Sequence, residues 1–254
     1  MKLVVKVGTS TLTHSTGRLN IRHVEELVKV LSDLKNAGHQ VIVVSSGAIG
    51  MGVGKLNLPG KPSDMPTKQA AAAVGQCELM YTYDRLFAQY NHTVAQILLT
   101  GEDIDHADRR QNFENTMARL LELGVLPVIN ENDTVATAEI KVGDNDTLGA
   151  IVACCVGADL LVLLSDIDGL YTADPRSDPS AELIPVVDAV TPAIEALAGG
   201  KGSDLGTGGM ATTLRAAKMV TARGCDMVIA NGERPELLYD IVAGLPVGTR
   251  FKSR

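Results

Sequence analysis

Val41-Ile42-Val43-Val44-Ser45-Ser46-Gly47-Ala48-Ile49-Gly50 is the stretch that decides the fold class. Four consecutive β-branched residues lack the polar alternation of a half-exposed strand and suit a strand buried on both faces. The small residues that follow turn the chain into a helix beginning near Ala48. A buried strand, a small polar turn and a helix together make the repeating unit of a parallel α/β sheet.

The same unit recurs outward from this stretch. Leu3–Val7, Val94–Leu99, Val125–Ile129, Leu160–Leu164 and Met227–Ile229 read as further strands. Ile21–Lys35, Thr67–Tyr90, Arg109–Leu123, Thr147–Val156, Thr191–Ala198 and Gly209–Arg223 read as helices between them. The expected fold is therefore α/β, a three-layer αβα sandwich with a largely parallel central sheet. Ligands of such sheets bind beyond the carboxyl ends of the strands. Small and polar residues gather there: Ser45–Ala48, Asn130–Asp133 and Ser165–Gly169. Pro59–Pro66 and Asp174–Pro179 read as surface loops.

Composition narrows the function. The chain has 254 residues, no Trp and 3% aromatic residues, so its core is aliphatic. Its formal net charge is −7 without a long basic run, which argues against nucleic-acid binding. No apolar run is long enough to span a bilayer, and no leader pattern opens the sequence, so no membrane partner and a cytoplasmic location are expected. Cys77, Cys154, Cys155 and Cys225 form no CxxC pair and read as buried thiols in a reducing compartment.

Polar residues are densest between Asn130 and Gly149. Asn130-Glu131-Asn132-Asp133 follows an apolar run, and Asp144-Asn145-Asp146 precedes an apolar helix. Packing does not require such density, whereas a small polar ligand with an ammonium group does. A metal site would use the same carboxylates, but the EF-hand spacing and its closing Glu are missing. Asx-turns and an N-cap at Asp144 are the structural alternative. Lys6 interrupts an apolar strand, so it either reaches an anion or snorkels to solvent. Ser46 at a helix start is either part of an anion site or a simple N-cap. Gly206-Thr207-Gly208-Gly209-Met210 precedes a helix and either cradles phosphate or forms a flexible loop. No Walker A sequence and no dinucleotide fingerprint is present.

Taken together and in order, these segments resemble the glutamate 5-kinases of the amino acid kinase family. The resemblance rests on Val5–Ser10, Ser45–Ile49, Asn130–Asp133, Gly143–Asp146, Ser165–Tyr171 and Gly206–Met210, and spans nearly the whole chain. It implies phosphorylation of the L-glutamate γ-carboxylate by ATP with Mg²⁺, giving L-glutamyl 5-phosphate for proline biosynthesis. By that resemblance Ser46, Asp133 and Asn145 match glutamate-binding positions. Lys6 matches a lysine that stabilises the transferring phosphoryl group, and Asp146 an aspartate that orients catalytic lysines. Lys6, Ser165, Asp166 and the run Thr207, Gly208, Gly209, Met210, Ala211, Thr212 and Thr213 match ATP-binding positions. No protein metal ligand is assigned. The resemblance also implies a homo-oligomer, dimer or tetramer, and feedback by proline at the glutamate site.

Two departures from the family pattern stand out. Many members carry a C-terminal PUA domain, whereas this chain reads as one kinase domain over residues 1–254, glutamate-binding first and ATP-binding from about residue 160. The family run Thr-Gly-Gly-Met-x-Thr-Lys ends here in Thr213, where a second catalytic lysine is expected. A hydroxyl cannot neutralise a phosphoryl oxygen, and loss of such a charged contact costs about 3 kcal/mol. Arg215, two positions on, points elsewhere on a helix, Lys218 lies more than a turn away, and Lys201 is in the glycine-rich loop. The competing readings are a kinase-fold protein that binds glutamate or nucleotide without turnover, and another small-carboxylate kinase of the same fold.

Overall fold

The computed structural model describes residues 1–14, 16, 18–136, 144–197 and 209–253. The first half of the chain runs β1 (Lys2–Val7), α1 (Thr9–Leu12), α2 (Ile21–Asn36), β2 (Gln40–Ser45), α3 (Ala48–Lys55), α4 (Met65–Ala88), β3 (Val94–Leu99), α5 (Gly101–Asp105), α6 (Ala107–Glu122) and β4 (Leu126–Glu131). The second half continues with α7 (Asn145–Val156), β5 (Leu160–Ser165), β6 (Val186–Val187), α8 (Pro192–Ala196), α9 (Met210–Thr221), β7 (Asp226–Asn231), α10 (Leu237–Val242) and β8 (Thr249–Phe251).

Among the described residues the strands form one eight-stranded sheet in the order β3-β4-β2-β1-β5-β7-β8-β6. Every pairing is parallel except β7 with β8. Strand alternation divides the side chains between two apolar layers. Leu3, Val5 and Val7 join Val41, Val43, Val162 and Val228 against α2, α4 and α10. Val4 joins Ile42, Val44, Leu161, Leu163 and Ile229 against α6, α7 and α9. This is the expected three-layer sandwich, and burial of both faces explains why the central strands read as unbroken apolar runs.

The sheet grows in both directions from its centre. The elements through β4 build outward from β1 on one side, and those from β5 onward build outward on the other. The order therefore reverses at the β1/β5 seam, where a crevice opens at the carboxyl ends of the strands. Period-2 alternation puts Lys6 on the Val4 face, beneath α7.

The expected elements are present with small shifts. α4 begins at Met65, capped by Asp64 with Pro66 in its first turn, so the Pro59–Pro66 loop is shorter than expected. β4 extends to Glu131, carrying Asn130 and Glu131 inside the strand. The 174–179 segment is mainly exposed. Of the thiols only Cys225 is buried, where burial pushes it up to about 12; Cys77 is exposed and the α7 pair is half-buried, which corrects the expectation of buried thiols. Among the described residues no helix is long and apolar enough to cross a membrane.

Candidate active site

Two side-chain groups meet at the start of α7. The first is built on Lys6. Its Nζ lies 2.8 Å from Asp146 Oδ1, and both side chains are about 15% exposed (15% and 14%). The lysine stem passes under α7 at Gly149, one turn beyond Asp146 on the same helix face. A Cβ on Gly149 would stand 3.5 Å from Lys6 Cβ. The ammonium is thus paired instead of snorkelling to solvent. Gly8 leaves room beside it, since a Cβ there would lie 3.6 Å from Nζ. The second oxygen of Asp146 accepts a hydrogen bond from Thr213 Oγ1 at 2.6 Å. Thr213 is 9% exposed in the first turn of α9, so its hydroxyl brings the start of that helix to the Lys6 pair.

The second group is a set of amides. Asn145 Nδ2 faces Ser46 Oγ at 2.7 Å, Ser45 O at 3.2 Å and Asn130 Oδ1 at 3.3 Å. Asn130 Nδ2 donates to Gln76 Oε1 at 2.9 Å. Ser46 does not cap α3; the N-cap is Gly47, at φ 101°, a conformation that glycine adopts without a Cβ penalty. Beneath Ser46, the Ser45 hydroxyl meets the Tyr83 hydroxyl at 3.0 Å, and burial pushes Tyr83 up to about 12, partly offset by that hydrogen bond. Asp144 does cap α7, accepting from Thr147 N at 2.7 Å. The structural and functional readings of this cluster are therefore divided between neighbours: Asp144 starts the helix, while Asn145 and Asp146 face the crevice.

The other expected site residues lie around this centre. Asp133 is half-buried in the turn after β4. Ser165 ends β5 beside β1, and Asp166 follows it, bound by Arg176 Nη2 at 2.8 Å. Gly209 caps α9 without a side-chain bond, and Thr212 N and Thr213 N turn back to its carbonyl. Met210 and Ala211 supply the preceding first-turn N–H groups, which an α-helix cannot satisfy internally. Thr207 and Gly208 lie outside the described residues, as does Lys201. Arg215 is exposed, and Lys218 Nζ pairs with Glu195 Oε1 at 2.5 Å, so neither substitutes for a lysine at 213. Gln76, Tyr83 and Arg176 escaped the sequence reading. Gln76 is one of two amides in an alanine-rich helix, with Gln69, and nothing in the sequence separates them.

A mainly parallel sheet with a paired lysine at its reversal point, beside a helix start whose Met210 and Ala211 N–H groups have no acceptor within the helix, is the frame of a phosphate-handling α/β protein. The chain belongs to the amino acid kinase family, whose model matches residues 1–231. Among curated relatives, a glutamate 5-kinase of Clostridium tetani (strain Massachusetts / E88) is 56% identical over 251 residues, covering 99% of this chain and 94% of its own. One of Clostridium perfringens (strain 13 / Type A) is 50% identical, covering 100% and 96%. Among solved structures, the carbamate kinase from Giardia lamblia bound to AMP-PNP superposes with a TM-score of 0.72 at 15% identity, covering 100% of this chain and 98% of that one, which bears on the fold alone.

Proposed function

We propose that the chain is an ATP-dependent kinase that transfers a phosphoryl group to the γ-carboxylate of L-glutamate, producing L-glutamyl 5-phosphate, the first step of proline biosynthesis. One observation carries this reading: successive residues of one helix turn, Asn145 and Asp146, look toward the amide group at Ser46 and the ammonium of Lys6 respectively. An acceptor held by the first group stands next to a phosphoryl group held by the second.

The chemistry asks little of the protein beyond position and charge. A glutamate γ-carboxylate has a reference pKa of about 4.3 and is ionised at neutral pH, so no general base is required. Ser46, Asn145 and Asp133 would hold glutamate, with Asp133 suited to its ammonium. Lys6 would lie against the transferring phosphoryl oxygens, oriented by Asp146. Thr213, in the position expected for a lysine, supplies a hydroxyl to Asp146 and no charge.

Ser165, Asp166 and Gly209–Thr213, with Thr207 and Gly208 upstream, would bind ATP; the Met210 and Ala211 N–H groups, which α9 does not satisfy internally, and the Lys6 ammonium fit a polyphosphate. Mg²⁺ would arrive on the ATP phosphates. Bound there, Mg²⁺ neutralises phosphate charge. Residues 1 to about 160 would thus serve glutamate and the remainder ATP, within one domain. Proline, with the carbon skeleton of a cyclised glutamate, is the expected inhibitor at the Ser46–Asn145 group. Assembly as a dimer or tetramer is supported by exposed apolar side chains along α4, Tyr81 at 61% and Met65 at 38%. Four free thiols favour a reducing cytoplasmic location.

A coupled assay with ATP, Mg²⁺ and glutamate, aspartate or N-acetylglutamate tests the assignment. Turnover of glutamate alone is expected; turnover of either alternative without glutamate would overturn the substrate. Identity of 50% and more to glutamate 5-kinases over the full chain weighs against a fold retained for binding only.

A further inference from the structure

The amide group at Ser46 continues inward to a buried residue of α4. Gln76, on α4, is 8% exposed, and its Oε1 accepts from Asn130 Nδ2 at 2.9 Å. Its Nε2 is buried without a partner among the described residues. Buried polar atoms are nearly always satisfied, and a native exception calls for a reason. The reason lies in how the amides are wired.

Two backbone groups fix which end of each amide is which. Glu131 N–H is a donor, so the Asn130 atom 2.9 Å from it is Oδ1. Ser45 C=O is an acceptor, so the Asn145 atom 3.2 Å from it is Nδ2. Asn130 must then turn its own Nδ2 toward Gln76, and Gln76 must answer with Oε1. That leaves the Gln76 Nε2 stranded at depth. It also leaves Asn145 Oδ1 without a partner among the described residues, on a side chain that is partly exposed. An oxygen so presented is an acceptor for an ammonium group.

We propose that Gln76 is a positioning residue for amino-acid recognition: it anchors Asn130 beneath Asn145, so that Asn145 holds Ser46 with its nitrogen and offers its oxygen to the substrate ammonium. The inference rests on the functional reading above. Stability alone gives little reason for Gln76, because its one side-chain hydrogen bond, to Asn130, is offset by a stranded donor of its own.

Gln76→Met provides the test, since it keeps length and volume and removes both polar atoms. The expected result is a KM for glutamate raised about tenfold, the weight of one hydrogen bond. KM for ATP should stay within about twofold and kcat within about threefold, while Tm falls by no more than a few degrees, because the change removes one stranded donor, Gln76 Nε2, and strands another, Asn130 Nδ2. Calorimetric titration with glutamate should show the same weakening without turnover. In an Asn145→Ala background the further cost of Gln76→Met should vanish, because the two act through one path. An unmoved glutamate KM or additive effects in the double variant overturns the proposal. A parent chain that phosphorylates glutamate while Gln76→Met matches it overturns the role of Gln76 alone. A parent that neither phosphorylates nor binds glutamate overturns the functional reading and this inference with it.

Discussion

Thr213 donates its hydroxyl to Asp146 at 2.6 Å, so the carboxylate that pairs with Lys6 has both oxygens engaged. The alternative acceptor, Gly209 O, is 3.4 Å away, too far to compete for the single hydroxyl proton. Asp146 is thereby held, and among the described residues Lys6 is the one lysine at the centre, with Thr213 where the resemblance leads one to expect a second. With Arg215 exposed and Lys218 paired to Glu195, no cation on α9 fills the gap. Thr213→Lys should therefore raise kcat by about tenfold to a hundredfold while leaving KM for glutamate near its parent value. Steady-state rates of the two proteins side by side decide it. An unchanged kcat would mean that phosphoryl charge is already neutralised from elsewhere.

Lys6 should be indispensable by the same reasoning. Lys6→Met preserves the stem that packs under Gly149 and deletes the charge. Loss of a preorganised charged donor costs on the order of a hundredfold to a thousandfold in kcat. KM for glutamate should change little, since the amide group is untouched. A kcat within tenfold of the parent would remove Lys6 from the phosphoryl site.

Asn145→Ala and Ser46→Ala should act on the other substrate. Each removes one side of a 2.7 Å hydrogen bond within the amide group. KM for glutamate should rise about tenfold or more, with KM for ATP held within about twofold. Equal increases in both constants would instead indicate collapse of the α7 start.

Much of this arrangement could be read in the sequence, for identifiable reasons. Lys6 stood out because a charge inside Leu3–Val7 demands a partner, and the partner exists. The central strands stood out because burial on both faces leaves no polar alternation. β6 and β8 did not, since two and three residues carry no period, and the antiparallel β8 is set by its pairing to β7. The contact between Ser46 and Asn145 spans 99 residues of sequence, and that between Asn130 and Gln76 spans 54. Contacts that remote leave no local pattern, so the residues around Ser46 by themselves left an anion site and a cap both open, and Gln76 looked like part of a helix.

His23 gives the fold a dependence on pH. It is 8% exposed near the start of α2, with Nε2 unpartnered among the described residues. Burial lowers its pKa below the usual 6.5, against the raising influence of Glu26, the Gly232 backbone, Glu233 and Glu236. A histidine whose folded pKa is depressed binds fewer protons folded than unfolded, so stability falls as pH drops below about 6.5 and levels off beneath the folded value. Thermal denaturation between pH 8 and 5 should show this decline, and His23→Gln should flatten it. Identical slopes in parent and variant would assign the decline to other groups.

Gly75 ties stability to the glutamate site. α3 and α4 approach so closely there that a Cβ on Gly75 would lie 1.7 Å from Ala48 O and 2.4 Å from Gly52 N. Both neighbours are backbone, so no side chain can swing aside. Gly52 makes the reciprocal contact, with a Cβ 1.8 Å from Ala71 O. Gly75→Ala must push α3 off α4, at a cost of about 3 kcal/mol or more. For a chain of this length that corresponds to a Tm about 5–10 °C lower. The displacement also bears on function, because Ala48 follows Gly47 and Ser46 directly, and Gln76 follows Gly75. The KM for glutamate should therefore rise along with the loss of Tm. Gly60→Ala is the matched control: a Cβ there meets nothing within 4 Å. Its Tm and KM should both stay at the parent values, and a Gly75→Ala protein that behaved like it would refute the close approach of the two helices.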